Sequence, residues 1–114
     1  MRILAGRWAG TGLVSPGGRV RPTAEATRAA GMELIASELR DARVLDLFAG
    51  TGALGLEALS RGARSCDFVE NNPAALHALK ANLAKLRARE QTRLFKRDAI
   101  PFVAQLAAGQ YDLA

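Results

Sequence analysis

The residues best suited to bind a small molecule lie close together near the middle of the sequence. Asp46 stands inside an apolar stretch, and two glycines, Gly50 and Gly52, come soon after it. Glycine adopts positive φ angles and has no Cβ, so this backbone can turn sharply and pass close to a ligand. A helix expected after Gly52 would direct unpaired N–H groups and a partial positive charge toward the same point. The pattern predicts a ligand-binding loop between a strand and a helix.

Asp46 indicates which ligand this loop would accept. A carboxylate in a buried strand is costly unless a cation or a hydrogen-bond donor meets it. The spacing Gly50-x-Gly52-x-x-Gly55 also fits the dinucleotide fingerprint, but the charge on Asp46 would repel a pyrophosphate. It would attract the sulfonium and ammonium groups of S-adenosylmethionine, so we predict that cofactor. The open alternative is that Asp46 caps the amides of its own loop or pairs with an arginine.

Two further carboxylates follow the next two predicted strands. Glu70 closes the strand predicted at Ser65 to Val69, where α/β nucleotide sites use a carboxylate to accept hydrogen bonds from the ribose hydroxyls. Asp98 follows the strand predicted at Thr92 to Lys96 and would reach the same crevice, near an adenine amino group. Each carboxylate could also cap the helix that follows it, and for Asp98 the two roles are compatible. For Glu70 this is disfavoured, because the Asn-Pro pair just after it supplies a cap and a first turn.

The rest of the sequence supplies the elements that would position these carboxylates and glycines. Short apolar runs predict buried strands, and apolar residues at helical spacing predict the helices between them. This alternation predicts an α/β fold with a doubly wound parallel sheet. In order, we expect a hairpin within residues 2–22, a helix from an N-cap at Thr23 to about Asp41, a strand at 44–48, a helix at 52–61, a strand at 65–69, a helix from Pro73 to about Arg89, a strand at 92–96, a helix at 100–108 and the start of a fourth strand at 110–114.

Size and composition allow one domain at most, with a core, but the length is small for a complete doubly wound enzyme. The chain has 114 residues, of which 49% are hydrophobic and 24% charged, as in soluble globular proteins. Its single cysteine, Cys66, excludes an internal disulfide and cannot complete a zinc site with His77 alone, which favours a reducing compartment. Apolar runs are too short for a membrane span, and the first residues are too few for a signal peptide. We expect a cytoplasmic monomer with no membrane segment.

The net charge of +5 is concentrated in the first 28 residues. This part carries five arginines against one glutamate, whereas the remainder is almost neutral. Arginine binds phosphate in a bidentate way and stacks on bases, so a polyanion such as RNA is the expected partner. The alternative is a solvated basic end. Trp8, among these arginines, would either stack on a base or pack the hairpin onto the domain. The candidate RNA-binding residues are Arg2, Arg7, Arg19, Arg21 and Arg28.

With these residues in place, the sequence resembles the class I methyltransferases that depend on S-adenosylmethionine. It is most similar to the bacterial family that methylates the N2 amino group of a guanine in 16S ribosomal RNA. The resemblance covers essentially the whole chain. It is carried by Arg2-Ile3-Leu4-Ala5-Gly6, Arg21-Pro22-Thr23 with Arg28, the long block from Leu45 to Ala63, Glu70, and Asp98-Ala99.

The resemblance implies a Rossmann-like fold and a ribosomal RNA substrate, either naked or in an assembling small ribosomal subunit. Residues 1–22 would form a basic extension, and residues 23–114 would form the cofactor-binding part of a methyltransferase domain. Asp46 and the glycines would hold the methionyl group, Glu70 the ribose, and Asp98 and Ala99 the adenine. The full set of implied cofactor-binding residues is Thr23, Asp46, Phe48, Ala49, Gly50, Thr51, Gly52, Glu70, Asn71, Asp98 and Ala99.

The sequence departs from the family pattern at two points. Ala29 follows Arg28 where the family usually has glutamate. The Asp/Asn-Pro-Pro-aromatic motif, which would hold the target amino group, is absent from the 114 residues. We therefore expect no catalytic residue in this chain and no activity from it alone. The competing functions are a non-catalytic RNA-binding module and a nicotinamide-dependent oxidoreductase.

Overall fold

A three-stranded parallel sheet organises the structure. The computed structural model describes residues 1–15, 22–106 and 109–113, with residues 22–24 described by their backbone. The strands are β1 (Arg43–Leu47), β2 (Ser65–Glu70) and β3 (Thr92–Lys96), in the order β1-β2-β3. Because both strand pairs are parallel, all three strands end at the same side of the sheet. We call this side the carboxyl edge and the opposite side the amino edge.

The fourth strand predicted at 110–114 is reduced to one isolated bridge within the described residues 109–113. Leu113 forms one isolated parallel bridge with Val44, and the Leu45 amide donates to the Leu113 carbonyl at 2.8 Å. Successive backbone groups of a strand point to opposite sides, so this bridge lies on the edge of β1 that faces away from β2. The resulting order, β3-β2-β1 and then Leu113, is that of a doubly wound sheet.

Helices connect the strands and cover the sheet. In the described part of the chain they are α1 (Pro22–Leu34), α2 (Ala36–Leu39), α3 (Ala53–Ser60), α4 (Pro73–Lys85), a short 3-10 helix (Arg89–Gln91) and α5 (Ala99–Ala104).

Several helix boundaries differ from the predictions. The single helix predicted from Thr23 to Asp41 is wrong, because it begins at Pro22 and breaks at Ile35, where φ is −110° and ψ is 13°. Thr23 is therefore not its N-cap. The prediction that α4 reaches Arg89 is also wrong, since Arg87 adopts a φ of 53° after the helix ends.

The last predicted helix, at 100–108, is shifted. Helix α5 begins at Ala99 and ends at Ala104, and residues 107 and 108 lie outside the described residues. At the start of α4, the predicted cap is confirmed, because the Asn72 side chain accepts a hydrogen bond from the Ala75 amide at 3.0 Å.

The two faces of the sheet bury different clusters. In β2, Cys66 and Phe68 point toward α3 and α4, where they join the larger core with the buried leucines of both helices. Val69 points to the opposite face and packs with Ala99 and Phe102 of α5 in a smaller core. Alternation along one strand thus divides the interior into two layers.

The first 15 residues pack against α3. Arg2 and Gly12 form one antiparallel bridge, and the Ile3 amide donates to the Thr11 carbonyl at 2.9 Å. Gly6 has a φ of +84°, and a Cβ there would lie 1.9 Å from the Ser60 carbonyl oxygen. Trp8 packs against the larger core, which favours the packing role over an exposed stacking role. Residues 16–21 of the predicted hairpin lie outside the described residues.

None of the described helices combines the length and the apolar character that a bilayer crossing requires.

Candidate functional site

Asp46 is buried at the start of the predicted ligand loop. Its carboxylate is 8% exposed and its Oδ2 accepts a hydrogen bond from the Gly55 amide at 3.1 Å. Burial raises the pKa of this carboxyl to about 7, although the Gly55 bond lowers it, and the nearby charge of Glu70 raises it further. The donor lies in the first turn of α3, so Asp46 accepts from the helix that follows the loop rather than from an amide of the loop itself. A cation brought near Asp46 would favour its ionised form and lower this raised pKa.

The loop after β1 is held by backbone conformations that few residues adopt. Phe48, Gly50 and Gly52 all have positive φ, at 55°, 59° and 86°, and Phe48 is 75% exposed. The buried Ala49 donates its amide to the Val69 carbonyl at 3.0 Å, which ties the loop to β2. We call residues 48–52 the glycine loop.

The three glycines of the fingerprint have three different surroundings. A Cβ on Gly50 would meet no atom within 4 Å, so this position faces open space. A Cβ on Gly52 would lie 2.4 Å from Leu79 Cδ1, and one on Gly55 would lie 2.4 Å from Phe68 Cε1. Gly52 and Gly55 therefore permit close helix packing, whereas Gly50 is the glycine that a ligand could approach.

Glu70 connects the end of β2 to the glycine loop. Its Oε1 accepts a hydrogen bond from the Gly50 amide at 2.7 Å, and its Oε2 accepts from the Asn71 and Asn72 amides at 3.0 Å each. Burial raises the pKa of the carboxyl, but these three amide bonds outweigh it and the pKa is lowered overall. A carboxylate has about four acceptor positions, so one remains for a ligand hydroxyl. A second ribose hydroxyl would have to replace a backbone donor.

Asp98 and Asn71 meet at the same edge of the sheet. Asp98 occupies the N-cap position of α5, but its side chain makes no capping hydrogen bond. Instead, the Asn71 side-chain amide donates a hydrogen bond to the Asp98 carboxylate. The capping alternative for Asp98 is therefore wrong. Ala99 is buried in the smaller core with Val69, so it can offer a ligand its backbone rather than its side chain.

Thr51 is held from two sides. Its hydroxyl lies 3.4 Å from the Met1 sulfur, and its carbonyl accepts a hydrogen bond from the Asn82 side chain at 2.9 Å. Asn82 was not a candidate from the sequence, although it interrupts the leucine stripe of α4 and a polar residue at such a position signals a buried contact. The side chain of Thr23, also a predicted cofactor residue, lies outside the described residues.

A large cavity in the described part of the chain lies beside this edge rather than on it. It has a volume of about 750 Å³ between α1, β1 and α3, and apolar residues form most of its wall. Asp46 reaches its margin, but Gly50, Glu70 and Asp98 do not line it. We place the candidate site at the carboxyl edge, because the polar groups from the ends of β1, β2 and β3 converge there. Among the described residues, no His, Cys, Asp and Glu side chains cluster to hold a metal ion.

The predicted RNA-binding arginines have different environments. Arg2 is exposed and lies 3.5 Å from Glu25. The Arg7 guanidinium stacks 4.1 Å from the centre of the Trp8 ring and donates to Gln91. Because Gln91 immediately precedes β3, Arg7 lies toward the amino edge, away from the candidate site. Arg19 and Arg21 lie outside the described residues.

Arg28 is buried, which does not fit its predicted contact with RNA. Its side chain is 8% exposed, and its Nε lies 3.4 Å from Glu57 Oε1. Glu57 is completely buried on α3 and also accepts hydrogen bonds from the Leu4 and Ala5 amides, at 2.9 and 3.1 Å. Glu57 thus supplies the acidic partner of Arg28 that Ala29 cannot provide, and sequence reasoning missed it.

Comparison with known proteins identifies the relatives of this chain. It is 42% identical over 108 residues to "Ribosomal RNA small subunit methyltransferase D" of Escherichia coli strain K12, an alignment covering 92% of this chain and 53% of that protein. The solved structure of yhhF from Escherichia coli superposes with a TM-score of 0.83 at 42% identity, covering 92% of this chain and 57% of that one.

A more distant structure shows the fold alone. The C-terminal domain of precorrin-6Y C5,15-methyltransferase from Rhodobacter capsulatus superposes with a TM-score of 0.65 at 16% identity, covering 83% of this chain and 49% of that one. The fold is therefore the Rossmann-like α/β fold of the class I methyltransferases, as predicted.

The chain spans about half the length of the curated relative that it matches, 53% in the case of the Escherichia coli protein. The family described as "Conserved hypothetical protein 95" matches residues 1–114, from the first residue of the chain to the last. The chain belongs to this family.

Proposed function

We propose that this chain is the cofactor-binding part of an S-adenosylmethionine-dependent methyltransferase that acts on the N2 amino group of a guanine in 16S ribosomal RNA. The name of its Escherichia coli relative supports the reaction class and the RNA substrate. The choice of cofactor rests on the residues at the carboxyl edge, and the choice of guanine N2 rests on the sequence resemblance.

The contact between Glu70 and the Gly50 amide carries the proposal. It fixes a carboxylate beside the one loop glycine that faces open space. Asp46 lies on one side of this contact, and the Asn71–Asp98 pair lies at the ends of the neighbouring strands. A molecule with a cationic group, a ribose and an adenine therefore finds a complementary group for each part along one edge.

The residues present fit binding and orientation of this cofactor. S-adenosylmethionine carries its methyl group on a sulfonium that is already a good leaving group, so the protein contributes mainly positioning. Asp46 would attract the cationic end of the ligand, and Glu70 would accept a hydrogen bond from a ribose hydroxyl. The space above Gly50 would allow a ligand to approach the backbone without meeting a side chain.

A nicotinamide-dependent oxidoreductase is the alternative that the glycine spacing allows. A dinucleotide would bring a pyrophosphate to the glycine loop, where Glu70 already presents its carboxylate to the Gly50 amide. Two anions at one amide repel each other, which favours the cationic cofactor. If the chain were only an RNA-binding module, the convergence of polar groups at the carboxyl edge would have no function.

Calorimetric titration of this chain tests the proposal. We expect S-adenosylhomocysteine to bind with one-to-one stoichiometry and NAD to give no binding heat. Binding of NAD without binding of S-adenosylhomocysteine would overturn the assignment in favour of the oxidoreductase. Binding of neither ligand, with RNA binding retained, would favour the RNA-binding module.

The partners follow from the same proposal. We propose that the protein acts as a monomer in the cytoplasm and that its substrate is ribosomal RNA or the assembling small subunit. The target guanine would have to leave its stack to reach a pocket at the carboxyl edge. The exposed Arg2 and Arg7 would contact phosphates of the same RNA, Arg7 at a distance from the target base because it lies toward the amino edge.

A further inference from the structure

Asn82 joins two parts of the chain that are distant in sequence. It lies in α4 and is completely buried. Its Oδ1 accepts a hydrogen bond from the Val14 amide at 2.6 Å, and its Nδ2 donates to the Val14 carbonyl at 3.0 Å. The same Nδ2 donates to the Thr51 carbonyl at 2.9 Å. One side chain therefore contacts both the first 15 residues and the glycine loop.

The chemistry of this position requires an amide. Asn82 offers one acceptor and two donor hydrogens, and Val14 and Thr51 use the acceptor and both donors. An apolar residue of similar size would leave the three backbone groups without their partner in a buried setting, which is costly. A carboxylate could still accept from Val14, but it would face the two carbonyl oxygens with no donor.

The Thr51 carbonyl is a sensitive point of the glycine loop. Thr51 lies between Gly50 and Gly52, both with positive φ. A hydrogen bond to its carbonyl therefore fixes the orientation of the peptide plane between Thr51 and Gly52. Leu79, one turn earlier in α4, packs against Gly52 at the distance that excludes a Cβ. Helix α4 thus supports the loop from the side opposite the open space above Gly50.

We propose that Asn82 is a positioning residue that couples residues 1–15 to the glycine loop. Ordering of either part then favours the ordered form of the other. Such coupling is reciprocal. If RNA at the first residues strengthens cofactor binding by some factor, then cofactor bound at the loop strengthens RNA binding by the same factor. The consequence for cofactor and RNA rests on the proposed function, whereas the coupling between the two segments does not.

Lys85 provides a matched control. Its ammonium donates a hydrogen bond to the Gly12 carbonyl at 2.6 Å, so it holds the same segment from the same helix. It makes no contact with the glycine loop among the described hydrogen bonds. Val14→Pro perturbs the coupling from the other end. It removes the Val14 amide hydrogen that bonds to Asn82 Oδ1, and it leaves Asn82 and the loop residues unsubstituted. Val14 is 41% exposed, so the new ring has room.

Hydrogen exchange of the Gly52 amide tests the coupling without any ligand. This amide donates to the Ala49 carbonyl within the loop at 2.9 Å. We expect Asn82→Leu and Val14→Pro to speed its exchange about tenfold or more, and Lys85→Met, which keeps all three Asn82 hydrogen bonds, to have a much smaller effect. Unchanged exchange in Val14→Pro would overturn the inference, and so would equal acceleration in Lys85→Met. If Asn82→Leu fails to fold, Val14→Pro decides the question alone.

Calorimetry with S-adenosylhomocysteine separates this inference from the proposed function. We expect Val14→Pro to weaken binding of S-adenosylhomocysteine about tenfold. Because Val14 is not one of the proposed cofactor-binding residues, a direct contact with the ligand would not explain this change. Absence of binding in the unsubstituted chain would overturn the proposed function, and the exchange measurement would still decide the coupling. Normal affinity in both Asn82→Leu and Val14→Pro would overturn the coupling to cofactor.

Discussion

The Glu70 carboxylate accepts a hydrogen bond from the Gly50 amide at 2.7 Å and thereby joins the end of β2 to the loop that follows β1. The contact organises the carboxyl edge before any ligand arrives. Burial raises the pKa of Glu70, but this bond and those from the Asn72 and Asn71 amides favour the charged form and lower the pKa overall.

Replacement of Glu70 by glutamine should weaken cofactor binding. Glutamine has one acceptor oxygen in place of two, so it cannot keep all three amide bonds and accept a ribose hydroxyl. We expect the affinity for S-adenosylhomocysteine to fall about tenfold or more, measured by calorimetry. Asp41→Asn is the matched control, because Asp41 is an exposed carboxylate paired with Arg64. Equal affinities of Glu70→Gln and the control would contradict the assignment.

Binding of S-adenosylmethionine should depend on pH through Asp46. The pKa of this carboxyl is about 7 in the free protein, and the cationic ligand favours the ionised form. Affinity should therefore rise as pH increases toward about 7, by at most about tenfold per pH unit, and level off above it. The measurement is a titration series from pH 5.5 to 8.5. In Asp46→Asn the profile should be flat over this range, and a slope equal to that of the unsubstituted protein would exclude Asp46 as its source.

The glycines should separate binding from stability. Gly50→Ala meets no neighbouring atom, so we expect a folded protein that loses about 1–2 kcal/mol from its positive φ and binds the cofactor weakly. Gly55→Ala places a methyl against Phe68, and overpacking of this kind costs about 1–3 kcal/mol. Urea unfolding and calorimetry on both variants make the comparison. A Gly50→Ala protein with full affinity would show that the ligand does not approach this position.

Loss of the Glu57 carboxylate should destabilise the whole chain. Glu57→Gln leaves the buried Arg28 without its charged partner, and removal of one member of a buried pair costs about 3–5 kcal/mol. Glu33→Gln is the control. Glu33 and Glu57 both pair with Arg61, at 3.0 Å each, but Glu33 is exposed, and such surface pairs contribute about 0–1 kcal/mol. Urea denaturation measures both free energies of unfolding. Similar values for the two variants would show that the buried pair adds nothing.

Arg2 should contribute one phosphate contact to RNA binding. We expect Arg2→Gln to lower the slope of log affinity against log salt by about 0.7–0.9, since each neutralised phosphate contributes that amount. Arg43→Gln removes the same charge from an arginine that makes two hydrogen bonds to the Asp112 carboxylate, whereas Arg2 has one 3.5 Å contact with Glu25, and it should leave the slope unchanged. A filter-binding series at several salt concentrations distinguishes the two. Equal slopes for the two variants and the unsubstituted protein would show that the basic first residues are a solvated surface rather than an RNA contact.

The sheet and the glycine loop could be predicted because their determinants are local. The apolar run before Gly50 and the leucines of α4 each indicate an element without knowledge of the rest of the chain. Glu57 and Asn82 could not be assigned in this way, because their partners are distant in sequence. Leu4 lies about fifty residues from Glu57, and Val14 lies more than sixty residues from Asn82. The sequence shows only a polar residue on an apolar helix face.

The missing side-chain cap at Asp98 and the burial of Arg28 also have physical reasons. Asp98 has the right position and backbone for a cap, but Asn71, which directly follows the neighbouring strand β2, donates to its carboxylate. Arg28 looks like one more cation of a basic end, and its burial depends on Glu57 in a distant helix. In both cases a tertiary contact replaces the local role that the sequence indicated.

Gly6 makes attachment of the first residues to α3 intolerant of variation. Even a methyl group at this position would overlap the carbonyl of Ser60, so every other amino acid forces the two backbones apart. The buried carboxylate beneath would then lose the amides of Leu4 and Ala5. One hydrogen atom in place of a side chain therefore decides whether the start of this polypeptide behaves as part of the domain or as a protease-sensitive tail.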